Sequence, residues 1–156
     1  MNLLVIGLSL LAAMVLAMLP MPLLVDPFRP DWLLLVLLYW TMALPHRVSV
    51  GSAWLCGLVM DILLGSTLGI HAMALSLVIY LAALNFQKIR NFSLWQQSAI
   101  VAMLAGIKLL LVFWAEHLIN GVVITGQYFW PMLTSAAMWF WLFPLLRRLR
   151  RRFRIR

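Results

Sequence analysis

Charge is what this sequence has least of. Only 10% of its 156 residues are Asp, Glu, Lys or Arg, and just four of those are acidic, whereas a soluble globular domain is about one-quarter charged. That scarcity excludes an ordinary water-exposed fold. A single cysteine, Cys56, excludes an internal disulfide and a CxxC metal site. Lying in an apolar run, it reads as a small buried residue. A G-x-S-x-G elbow, a phosphate-cradling glycine loop and a helical HExxH are all missing, so the pattern points to no nucleophilic, phosphoryl-transfer or zinc chemistry. The expectation is a protein that is not an enzyme and carries no cofactor. Paired intramembrane carboxylates of the kind a proton-driven pump needs are missing too, as are internal repeats, low-complexity linkers and any soluble insertion.

What is present is apolar surface: 65% of residues are hydrophobic and the mean hydropathy is +1.03. Since a bilayer-spanning helix needs about 20 apolar residues, the chain reads as one all-α membrane domain over residues 1–146 with an arginine-rich tail over 147–156. Proline, glycine and the few charges divide it into six spans, at 3–19, 31–46, 48–64, 70–86, 98–119 and 129–146. The first has no basic n-region and no small-residue cleavage site before Pro20 and Pro22, so it is expected to be a retained span, not a secretory signal. The second is short: its purely apolar part, 32–44, reaches only about 20 Å of a hydrocarbon core about 30 Å thick. Either Trp32, Tyr39 and Trp40 carry it into the interfaces, or it is a short helix shielded by its neighbours.

Basic residues near span ends are retained on the cytoplasmic side. With both termini inside, the inner side collects Arg47, Lys88, Arg90 and the seven arginines of 147–156, while the outer side keeps Arg29. That asymmetry favours six spans over five or seven. Trp32 and Tyr128-Phe129-Trp130 then form an outer aromatic belt, with Trp95 and Trp139-Phe140-Trp141 an inner one. Small-residue pairs at Ala53/Gly57 and Ala102/Gly106 would let helices approach closely.

A charge at membrane depth costs about 3 kcal/mol on insertion scales, so each needs a reason. Lys108 and Asp61 fall at similar depths and are expected either to pair or to act separately, Lys108 by snorkelling and Asp61 by serving the turn before Ser66 and Thr67 cap the fourth span. Asp61, His71, Glu116 and His117 all lie near the outer face, where they could ligate a metal. Their spacing matches no metal signature, and scattered interfacial residues of these types usually cap or are solvated. His46 lies on the other side. In the tail, Arg147, Arg148, Arg150, Arg151, Arg152, Arg154 and Arg156 follow a span directly, so anionic lipid headgroups and topology explain them better than nucleic acid, with an acidic partner as a second role.

Four segments carry a resemblance: FRPDWLLLVLLYWTMALPHRVSVG at 28–51, MDILLGSTLGIHAMALSLVIYL at 60–81, RNFSLWQQ at 90–97 and VFWAEHLIN at 112–120. With the Pro-Asp-Trp start of the second span, the Pro-His-Arg inner turn and the Asp-x-x-x-Gly-Ser-x-x-Gly outer turn, the chain resembles the MreD family of rod shape-determining proteins of Gram-negative bacteria. The resemblance implies an inner-membrane, non-enzymatic component of the elongation machinery. Its implied partners are MreC, the actin-like MreB, directly or through MreC, and the glycosyltransferase RodA with its penicillin-binding transpeptidase. It also implies a fold similar to the substrate-binding subunits of energy-coupling-factor transporters. On this reading the residues expected to serve partner contact or local structure are Arg29 and Asp31, His46 and Arg47, Asp61, Gly65 and Gly69. Lys108 joins them on depth alone, with no family motif behind it. The rival reading is a small-molecule or lipid-binding subunit of a transporter; a weaker third is an intramembrane metalloenzyme.

Overall fold

The structure, a computed structural model, describes residues 2–20, 22–24, 28–65, 67–121, 123 and 129–154. Ser66, Tyr128 and Arg156 lie outside them. Regular structure among the described residues is entirely helical: α1 (Asn2–Met18), α2 (Trp32–Ala43), α3 (Val50–Leu64), α4 (Ile70–Leu84), α5 (Phe86–Asn91), α6 (Leu94–Asn120) and α7 (Trp130–Arg152).

The helix ends follow local chemistry. Asp31 caps α2 by accepting from the Leu34 N–H, and α2 stops just before Pro45, whose ring disfavours helical backbone at the residue preceding it. Gly65 and Gly121 end α3 and α6 in the left-handed conformation that glycine adopts without strain. α6 begins at Leu94, ahead of the expected 98, because Ser93 and Gln96 form a reciprocal capping box. α7 opens with Pro131 in its first turn and does not stop at 146 but runs on through the arginines to Arg152. The short helix α5, unanticipated, fills the α4–α6 connection.

α2 is the centre of the bundle. Every residue from Leu33 to Ala43 is buried, and α1, α4, α5 and α7 all pack against it. A helix that is apolar on every side must be enclosed, so the weakest of the six expected spans is the short, shielded helix, and Tyr39 and Trp40 are core residues. α3 packs on α4, and α6 packs on α4 and α7. The outer faces of these surrounding helices remain apolar: Leu4, Leu8 and Leu11 on α1, Trp54, Leu55 and Ile62 on α3, Trp114 on α6 and Trp141 and Leu145 on α7 are exposed. Monomeric soluble proteins rarely expose such continuous apolar surface. By length and composition, α6 is the one helix among the described residues that suffices alone to cross a membrane.

The expected inner aromatic belt divides. Trp95 and Trp141 are exposed, but Trp139 is fully buried, where its Nε1 donates to Gln97 Oε1 at 3.3 Å while Gln97 Nε2 donates to the Ile89 carbonyl at 3.0 Å. An indole with a buried partner for its N–H has no need of the interface.

Candidate functional site

The buried charged groups of the apolar bundle, Asp61 and Lys108, belong to two constellations toward one end, where α1 and α3 finish and α2, α4 and α7 begin. The first surrounds the start of α2. Arg29 Nη1 donates to the Ala17 carbonyl at 2.5 Å and Nη2 to that of Leu19, placing a cation on the carbonyls that the end of α1 leaves unsatisfied. Asp31 N–H donates to Ser135 Oγ of α7 at 3.0 Å, its Oδ1 accepts from Leu34 N–H at 3.3 Å, and its Oδ2 pairs with Lys108 Nζ of α6. One aspartate thus ties three helices. The Phe28 ring packs on Trp130 with centroids 5.0 Å apart, adding an apolar contact between the same segment and α7.

Lys108 therefore does not pair with Asp61. The pairing rested on equal depth, and depth says nothing about lateral position. Because α2 is only 12 residues long, its first turn begins inside the bundle, bringing Asp31 opposite the middle of α6. The lysine is nearly buried, and an ammonium there is tolerable only with a close counter-charge.

The second constellation joins α3 to α4. Asp61 is fully buried, 0% exposed. Its Oδ2 accepts from the N–H groups of Gly69 at 2.9 Å and Ala72 at 3.4 Å, and its Oδ1 from the His71 N–H at 3.1 Å. His71 Nδ1 lies 2.7 Å from the same oxygen, and since a carboxylate oxygen accepts, Nδ1–H is the donor. The carboxylate of one helix thereby caps the N-terminus of the next, where unsatisfied N–H groups and the positive end of the macrodipole favour an anion. Asp61 itself serves the start of the fourth span; of the two residues expected to cap it, Ser66 lies outside the described residues, and the N-cap position is held by Gly69 and not by Thr67. Gly69 holds φ +99° and Gly65 φ +66°, conformations in which a Cβ is strained, so both glycines are required by the turn.

Gly57, one turn before Asp61 on the same face, explains the reach. A Cβ there would stand 2.3 Å from Ala72 Cα and 2.6 Å from Ala72 N, so only glycine lets α4 come close enough for its N–H groups to meet the carboxylate. Ala53, also fully buried, continues this small-residue face. At the second small pair, a Cβ on Gly106 would meet Met132 Sδ at 2.7 Å, a side chain instead of a backbone.

The remaining expected residues do not join these clusters. His46 and Arg47 are exposed in the α2–α3 turn, where Arg47 N–H donates to the Leu44 carbonyl at 3.1 Å. Glu116 and His117 lie far along α6, with the His117 ring stacked on Phe113 at 5.6 Å. Among the described residues no three His, Cys, Asp or Glu side chains converge as a metal site would require. Ser135 and Gln97 are the partners the sequence did not reveal: both are common polar residues, and nothing in their spacing points to the groups they meet.

An apolar cavity of about 420 Å³ opens between α1, α2 and α7, lined by Ala13, Leu16, Trp32, Val36, Leu142 and Leu146 among others. A smaller cleft lies at the opposite end from Asp31, where α2 and α7 finish beside α5.

Comparison with known proteins points in one direction. The profile of the family described as rod shape-determining protein MreD matches residues 1–149. A rod shape-determining protein MreD of Haemophilus influenzae is 41% identical over 143 residues, covering 92% of this chain and 88% of that protein. No solved structure matches.

Proposed function

This chain belongs to the MreD family of rod shape-determining proteins, and from that membership we propose that it is a multi-pass inner-membrane scaffold of the cell-elongation machinery. In this reading it binds MreC and helps to link the MreB filament to peptidoglycan synthesis by RodA and its transpeptidase partner. Six spans with both termini in the cytoplasm, in an arrangement similar to energy-coupling-factor substrate-binding subunits, make up the fold.

The observation that carries the proposal is the architecture of α2: a wholly buried apolar helix ringed by helices whose outer faces are apolar. Such a bundle suits a hydrocarbon environment and presents helix faces to a partner's span. The orientation is supported by the cleft that gathers Arg90, Arg147 and Arg150 at one end, with Asp31, Asp61 and Arg29 toward the other. The tail arginines near anionic lipid contribute about 1 kcal/mol each. With the basic end inside, the turn organised by Asp61 faces the periplasm, where a partner's extracytoplasmic segment passes.

The test is co-purification of MreC with wild type and with Asp61→Ala at matched membrane levels. The proposal expects the mutant to insert yet retain less MreC. Equal recovery would remove this turn from the interface.

The 420 Å³ apolar cavity favours one second reading, a transporter subunit that binds a small apolar ligand or lipid. Thermal stabilisation of the purified protein by such a ligand would support it, and a screen with no stabilising compound would count against it.

A further inference from the structure

At the end of the bundle where α2 and α7 finish, a cleft of about 240 Å³ is lined by Tyr39, Met42 and Ala43 of α2, Arg90 of α5, and Phe143, Arg147 and Arg150 of α7. Three guanidiniums from two helices converge on it, and the Tyr39 hydroxyl lies beside Arg150. Among the described residues no carboxylate pairs with these arginines: Asp31 is engaged by Lys108, and Asp61 by His71 and the start of α4. Arg90 is held over the Phe86 ring, 5.7 Å from its centroid, which orients it without cancelling its charge.

Like charges from α5 and α7 line one cleft here, and an anion bound among them would relieve their mutual repulsion. A guanidinium presents donors in a planar fork that fits phosphate oxygens, and a tyrosine O–H adds a neutral donor. The floor beneath them, Met42, Ala43 and Phe143, is apolar, which would strengthen a charge-assisted contact by keeping water away. We propose that this cleft binds a phosphate group, carried on a phospholipid headgroup or free in solution. Diffuse attraction between the tail and an anionic leaflet would use all the arginines alike; this site uses Arg90, Arg147 and Arg150 and stands independently of the scaffold reading.

The experiment measures thermal stability and apparent affinity of the purified full chain with two probes. One is inorganic phosphate in detergent, against sodium chloride of equal ionic strength. The other is phosphatidylglycerol in phosphatidylcholine nanodiscs. Stabilisation by inorganic phosphate identifies a soluble source, and stabilisation by phosphatidylglycerol alone identifies a headgroup. In either case Arg90→Gln and Arg150→Gln weaken the affinity about tenfold or more, as expected for losing a charge-assisted hydrogen bond. Tyr39→Phe, which deletes one hydroxyl from an otherwise intact core, weakens it less, and Arg154→Gln, with the same loss of charge at an exposed residue that lines neither the cleft nor the apolar cavity, leaves it unchanged. No stabilisation by either probe, or equal weakening by Arg154→Gln and Arg150→Gln, overturns the proposal.

Discussion

A buried acid survives in an apolar chain when its bonds outweigh its desolvation, and Asp61 meets that condition with three backbone N–H groups and the His71 ring. Asp61→Ala leaves those donors unsatisfied and is expected to cost about 3 kcal/mol of stability. Asp61→Asn, which keeps one acceptor oxygen, should cost less. Thermal unfolding of the purified variants in detergent gives the order, and equal midpoints for Ala and wild type would show that the cap is dispensable. This much was legible in advance: an aspartate before a Gly-Ser-x-x-Gly turn has a local purpose. The partner of Lys108 was not legible, because hydropathy ranks residues by depth and is blind to which helix faces which. Asp31 stands at the outer entry of the second span in the sequence, and only the short, shielded form of α2 sets it opposite Lys108.

Two helix contacts make opposite forecasts at the next scale. Gly57→Ala places a Cβ against the backbone of Ala72, which cannot move without dragging α4 off Asp61, so overpacking should cost about 1–3 kcal/mol. Combined with Asp61→Ala it should cost less than the sum, since both break one junction. Gly106→Ala meets only the flexible end of Met132 and should be close to neutral. A similar cycle tests the clamp on α2. Asp31→Asn or Lys108→Met alone strands a charge and should cost about 3–5 kcal/mol, whereas the double variant should recover much of that loss. Strict additivity would mean the ion pair does not couple α2 to α6. The Ala53/Gly57 pair was visible as a small-residue spacing, and the Ser93/Gln96 box was there to be read as the start of α6. The burial of Trp139 was not, because aromatic residues near a span end read as an interfacial belt until a hydrogen-bond partner such as Gln97 is seen.

For the whole molecule, an enclosed apolar helix, an apolar outer surface and a cleft with three arginines at one end are the features on which the proposed orientation rests. A reporter that fluoresces only in the cytoplasm should be bright when fused to the C-terminus, and a periplasm-dependent phosphatase fused there should be inactive; the reverse pattern would invert the orientation. The central claim is a part in rod shape, and its most direct test is cell morphology in the host during controlled depletion of this protein. The account predicts that cells round up, that wild type restores rods, and that Asp61→Ala at matched membrane levels restores them poorly. Rods of unchanged dimensions after full depletion would contradict it.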